Sequence, residues 1–447
     1  RPPGDRLFRA TIESRPSMKF INLGGATGIL EHKGKRILFD PWLDDGIFHG
    51  AWYHWPKMQM GIEDLGRFDY IYISHIHEDH CSAGTIKHLN KDAEIILMEK
   101  KPDFVQKFLD QNGFHFKKVH HIPARTEVEL EPGLKVNMVE ADPANEMAYV
   151  IDSALVLRWD DFVIYNANDC QPHAGGLQYL KDYYGRIDYA LLPYAGGSGY
   201  PSCYVNLSEE EKKAEQQRVM LGRFAAFVKT VRELDPRYVT PFADQFVVAG
   251  SRSHLNKYIS HPASPGIVKG ALAEAGLADR LIMLNSGQAY DFDQGRKTPE
   301  GEYKDVTEAD REDYIAKVLK AKIYDHEKIE FFPSVPVDRL VKYARDRLWA
   351  IQERKKSFAE IGIYLDFPGV KRRFRLPLNK PEVAEVKWDA PLEQPFLRVS
   401  GPDTLMIMIL IGHVSWNIAD AALFLDYERR PNVYDPSVYV LLNYLRV

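Results

Sequence analysis

The stretch DYIYISHIHEDH, residues 69–80, constrains this chain more than any other. Its first half is an aromatic and β-branched run of the kind found in buried strands. Its second half places three histidines, a glutamate and an aspartate within six positions. Neutral imidazoles and carboxylates are ligands for zinc, iron and manganese. In extended backbone His75 and His77 point the same way, so both can face one ion. Asp79 and His80, in the turn that follows, can face a second ion beside it. A polar surface turn is the plain alternative, and four ligand-type side chains so closely spaced argue against it. A ligand loop at the C-terminal end of a strand needs a sheet to hold it. The chain is therefore expected to be a layered α/β protein with its site at a sheet edge.

The rest of the chain fits that frame. Its 447 residues are 45% hydrophobic and 27% charged, which excludes disordered, collagen-like and coiled-coil classes. Short strand-like runs alternate with loops and helices as far as Thr240, including a charged helix over 208–234. A second charged helical stretch covers about 298–330. A helix over 335–356, capped by Ser334, then opens a different pattern of strands and an apolar segment. Two units are expected, 1–329 carrying the metals and 330–447 an accessory α+β domain. The net charge of −5 argues against a nucleic-acid partner. Cys81, Cys170 and Cys203 are far apart, and no CxxC pair exists, so neither a Rieske cluster nor a cysteine-rich zinc knuckle can be built from them. The apolar run 405–411 is too short to span a bilayer, and the opening RPPGDRLFRATIESRP has no apolar leader. A soluble, cytoplasmic protein is expected, and homo-oligomerisation is left open.

HxHxDH is the signature of the metallo-β-lactamase fold superfamily, which the chain resembles over about residues 18–290. GGATGILEHKGKRILFDPWL, residues 24–43, is similar to the family's opening hairpins, which end in an aspartate at a strand tip, here Asp40. The resemblance implies an αββα sandwich of two mixed sheets flanked by helices. It implies that His75 and His77 bind one metal, that Asp79 and His80 bind another, and that a later aspartate bridges them. Asp169, in the turn YNANDC after a buried strand at 161–164, fits the bridge. Two positions depart from the family pattern. Where a third histidine belongs, the strand 135–139 is followed by Glu140 and Asp142, so either carboxylate could be that ligand. His120 and His121 are read as ordinary loop residues. Where a last histidine belongs, RYVTPFADQF offers Asp244, and His254 follows later.

Carboxylate oxygens tilt the expected pair of divalent ions toward iron, with zinc or manganese as alternatives. DSALVL (152–157), NANDC, PFADQF (241–246) and ERRPNVYD (428–435) are similar to the metallo-β-lactamase-like part of CMP-N-acetylneuraminate hydroxylases. That family's Rieske domain has no counterpart here, so its sialic-acid substrate is not carried over. The carboxylate-rich di-iron β-hydroxylase of chloramphenicol biosynthesis is a second resemblance. The expected function is an iron-dependent oxygenase acting on a small polar substrate, with electrons from a separate reductase and with Asp79 and Asp169 as catalytic carboxylates. The alternative is a zinc- or manganese-dependent hydrolase of a phosphodiester, lactone or amide. A binding module with a structural metal is a third reading, disfavoured because structural zinc sites are closed and cysteine-rich. Two loops stand near the expected site. PYAGGSGYPSCY (193–204) is glycine-rich and could approach a substrate. FHGAWYHWP (48–56) is read as a lid over the metals or, alternatively, as a loop packed on the second unit. Cys170 is read as core, and His413 and Trp416 as turn and packing residues.

Overall fold

In the computed structural model, which describes residues 17–243, 246–329 and 335–447, two sheets face each other. The first runs in the order Arg296–Thr298, Ala289–Asp291, Lys19–Gly24, Thr27–His32, Lys35–Phe39, Tyr70–Tyr72, Glu94–Met98 and Lys118–Ile122. It starts as antiparallel hairpins and turns parallel from Lys35–Phe39 onward. The second runs Tyr238–Pro241, Tyr189–Leu192, Phe162–Asn166, Ser153–Trp159, Leu134–Glu140 and Val128–Glu131. Alternate residues of both sheets, among them Phe20, Leu30, Tyr72, Met138, Leu155 and Tyr189, interdigitate in one apolar layer.

The opposite faces are covered by helices. Ile29, Leu38, Ile71 and Ile95 pack against Ile86 and Leu109 from the short helices Ala83–Ile86 and Phe104–Gln111. Val156, Tyr165 and Ala190 pack against Phe227, Val231 and Leu234, one stripe of the helix Glu209–Leu234. Ser208 starts that helix by accepting from the Glu211 amide, while the Glu211 carboxylate accepts the Ser208 amide at 2.7 Å. The four layers are the expected αββα sandwich.

Residues 335–447 add the helix Val337–Lys355 and a five-stranded sheet ordered Ala384–Val386, Arg372–Pro377, Gly362–Phe367, Phe396–Ser400, Asp426–Arg430. The helix was expected over 335–356; Ser334, its expected cap, lies outside the described residues. The boundary placed at 330 falls among such residues too. This sheet does not close its core alone. Leu365, Leu397, Leu405 and Phe424 share one apolar cluster with Phe48, Trp52 and Phe246. Trp52 pairs with Val248 in a two-stranded ladder, stacks on Phe246 at 3.4 Å and donates its indole N–H to the Ala421 carbonyl at 2.9 Å. The aromatic loop is therefore packed on the C-terminal region, and its Trp52 also faces the pocket lined by Asp79 and His80. Its apolar rings are held from both sides, and it joins the sandwich to the C-terminal region. The charged stretch at 298–330 is also less regular than expected, with one helix, Glu308–Tyr314, running into a wide turn at Ile315–Leu319.

Candidate metal centre

HIHEDH sits where Tyr70–Tyr72 leaves the sheet, and neighbouring strand ends fix it. Asp40, at the tip of the adjacent strand, holds a left-handed backbone (φ 44°) and is wholly buried. Its carboxylate accepts from the Ser74 amide at 2.7 Å and the Ser74 hydroxyl at 2.9 Å, and lies 3.0 Å from His80 Nδ1. Because the Ser74 hydroxyl proton goes to Asp40, its oxygen is left to accept from His75 Nδ1, 2.9 Å away. In both rings Nδ1 is thereby engaged by these partners and Nε2 is left aimed into the site. From the second sheet, the Asn168 side chain donates to the Ser153 carbonyl at 2.8 Å and accepts the Asp169 amide at 2.7 Å, which aims the Asp169 carboxylate at the same point.

The donor atoms converge. One ligand atom each from His75, His80 and Asp169 lie within 4.8 Å of one another. His75 Nε2 is 2.9 Å from His77 Nδ1, and the Asp79 and Asp169 carboxylates each lie 3.4 Å from His80 Nε2. Two carboxylates gathered on one buried imidazole are unfavourable unless a cation lies among them, so this donor set fits a metal centre. The electrostatics agree. Burial by itself would lower the His80 pKa, but Asp79, Asp169 and Asp40 outweigh it and hold the imidazole well above its ordinary value. Burial, with His80 and His77 adding to it, holds His75 well below. The pocket over Asp79, His80 and Asp169 is walled by Trp42, Trp52 and Phe246 and floored by Gly196 and Gly197. The glycine-rich loop thus does line the site.

Three expected ligands are not brought there. Glu140 is turned toward Arg125, to which it is ion-paired at 2.6 Å. Asp142 is exposed and accepts the Ala144 amide at 2.9 Å. His254 is exposed on a helical turn, 3.0 Å from the Ser251 carbonyl. Asp244 lies outside the described residues. A carboxylate does stand near the position expected for Glu140 or Asp142, and it is Asp152. Ser153 pairs with Glu140 in the antiparallel ladder, so Asp152 enters the site end of the sheet at the start of a strand rather than after one. With His77 it lines a wider cleft over the cluster. Burial, assisted by Asp169, pushes its carboxyl up to about 7, while Lys100 and His80 oppose the shift. The Lys100 ammonium donates to the Asp152 carbonyl, which fixes that backbone. Asn417, from the C-terminal region, hydrogen-bonds His77. Cys170 is buried core, as expected; His120 and His121, expected in a loop, lie instead on the strand Lys118–Ile122, 2.7 Å and 3.0 Å from Glu94 and Asp103 and away from the cluster.

A sandwich with a histidine and aspartate cluster at its strand ends defines a metallo-β-lactamase fold protein. The family model of the beta-lactamase superfamily domain matches residues 20–243, half of the chain, and the chain belongs to that superfamily. It is 27% identical over 298 residues to a protein of Mycobacterium tuberculosis (strain H37Rv) that carries a Rieske 2Fe-2S iron-sulfur protein name, covering 65% of this chain and 54% of that one. It is 30% identical over 238 residues to the cytidine monophosphate-N-acetylneuraminic acid hydroxylase of Cricetulus griseus, covering 50% and 39%. The chain thus spans about half the length of the first of these relatives and less of the second. Among solved structures, an isothiocyanate hydrolase from Delia radicum gut bacteria aligns with a TM-score of 0.45 at 16% identity, covering 62% of this chain and 99% of that one. Among the described residues no helix is long and apolar enough to cross a membrane.

Proposed function

We propose that the protein is an iron-dependent oxygenase that hydroxylates a small polar substrate at a dinuclear centre. The observation that carries this reading is the oxygen-rich donor set, with Asp79, Asp152 and Asp169 beside His75, His77 and His80. Hard carboxylate oxygens mixed with imidazole suit iron or manganese. His75, His77 and Asp152 would hold one ion and Asp79 and His80 the other, with Asp169 between them. When bound, iron supplies the one-electron chemistry with dioxygen that no side chain here can perform.

The protein's own part is positional. Asp40 and Ser74 engage Nδ1 of His75 and His80, and Asn417 holds His77. Trp42, Trp52 and Phe246 limit water at Asp79 and Asp169. Electrons would come from a separate reductase, since the three cysteines are buried and unpaired. The hydroxylase and Rieske names of the relatives support this reading. Oxygen-electrode traces of the iron-loaded protein with a chemical reductant test it. Uptake that disappears in Asp169→Ala is expected. No uptake by iron-loaded protein, together with turnover of lactone or phosphodiester by the zinc form, would establish the hydrolase instead.

A further inference from the structure

The cleft above the cluster holds about 920 Å³, and its walls come from both parts of the chain. His77, Asp152, Gly196 and Gly197 form its floor. The helix Glu209–Leu234 contributes Glu215, Arg218, Val219 and Arg223, and the C-terminal region contributes Asn417, Asp420, Arg429, Tyr434 and Tyr439. Three carboxylates and three guanidinium groups line it, and they are not all paired with one another. Arg218 is ion-paired to Glu215 at 2.7 Å, and Glu215 also accepts the Tyr200 hydroxyl at 2.7 Å. Asp420 is buried, accepts the Gly199 amide at 3.2 Å, and has its pKa raised by that burial.

Among the described residues two of these guanidinium groups make no ion pair. Arg429 is 5% exposed, and its N–H groups go to neutral acceptors: Asn432 Oδ1 at 3.2 and 2.8 Å and the Tyr439 hydroxyl at 2.9 Å. The rings of Tyr200 and Tyr204 stand 5.3 and 5.0 Å from it. Arg223 has no ion pair or side-chain hydrogen bond among the described residues, and a methyl group on Gly196 would lie 3.3 Å from its Nη2. Gly196 itself touches the pocket over Asp79 and His80, so Arg223 stands one loop away from the cluster. Tyr434, at the cleft mouth, has its pKa raised by burial and by Asp420, with Arg429 and Arg223 opposing the shift. A poorly hydrated guanidinium without an anion is unfavourable, and its fork of donors matches a carboxylate or phosphate.

We propose that this cleft binds a small anionic molecule whose carboxylate or phosphate is received by Arg223, with Arg429 as the second cation on the wall supplied by the C-terminal region. The inference rests on the metal cluster being the reactive centre, since it sets which end of the molecule faces His77 and Asp152. Calorimetric titration of the full chain with inorganic phosphate, benzoate and neutral benzamide tests it, with metal content measured on every sample. Saturable, salt-sensitive binding of phosphate or benzoate is expected, and whichever binds tighter names the anion. Arg223→Met should weaken it about tenfold to a hundredfold, and Arg223→Lys should lose less. The Arg223→Met loss should persist in a His80→Ala background, where anion contact with the metals is removed. Benzamide binding as tightly as benzoate, or an Arg223→Met, Arg429→Met double variant binding as wild type does, would overturn the proposal. Failure of the metal reading shows separately, as metal-free protein that still binds the anion.

Discussion

The edge of the sandwich and the C-terminal region face each other across one cleft, yet they are built on opposite principles. At the sandwich edge the donor groups sit on strand ends, and buried hydrogen bonds from Asp40, Ser74, Ser153 and Asn168 fix their directions. Across the cleft, Asn417, Arg429 and Tyr434 come from a helix, an edge strand and the turn that follows it. That wall is held in place by apolar packing through Trp52 and Phe246. A reaction centre needs donors placed to a fraction of an ångström, which short polar networks provide. A recognition wall needs shape and charge, which a packed layer can carry while its sequence varies.

The difference can be broken at either side. Asp169→Ala should have the largest effect, removing metal and abolishing oxygen uptake while circular dichroism stays unchanged, because the side chain lies at the rim of the core. Loss of the fold instead would mean that the edge is structural. Trp52→Ala attacks the other principle. It deletes a buried indole shared by both parts and should cost about 3–5 kcal/mol in denaturant unfolding. If stability hardly moves, the C-terminal region is held by something other than this seam. Asp40→Asn sharpens the comparison, since it keeps the shape but weakens the acceptor behind His80 and Ser74. A loss of metal affinity of about 10–100-fold is expected, read by chelator competition. The seam should also be acid-sensitive. Burial, with Arg311 adding to it, holds the His261 pKa at about 3 against the ordinary 6.5. The folded state then binds fewer protons than the unfolded one between those values, so stability falls as pH drops through that window, by up to about 1.4 kcal/mol per pH unit. His261→Phe should flatten that slope. His254→Ala should change least, leaving metal content as in the wild type.

Much of the edge was legible in the sequence because its chemistry is local. His75, His77, Asp79 and His80 lie within six residues, and Asp169 follows its own strand closely. Asp152 was not legible as a residue of the site, because attention to residues that leave strands overlooks one that enters an antiparallel partner. The pairing of Ser153 with Glu140, which brings it to the site, is a long-range register. Glu140 was a reasonable expectation until Arg125 took its carboxylate. The aromatic loop was ambiguous for a similar reason. Trp52 and Trp55 are apolar whether they cover a ligand or a neighbour, and only Ala421 and Ala263, far along the chain, show the packing on a neighbour by accepting their indole N–H groups. Arg429 stood out only as part of the phrase ERRPNVYD and not as a site residue, since its place in the cleft depends on the packing of the C-terminal sheet.

The central claim is that the cluster around His80 holds a pair of redox-active metals. Elemental analysis of the protein purified without added metal, combined with Mössbauer spectroscopy after growth on iron-57, tests it most directly. The account predicts two irons per chain with a coupled spectrum, and loss of both the iron and the spectrum in His80→Ala. Protein that takes up no transition metal even after reconstitution, or that keeps its iron in His80→Ala, would contradict it.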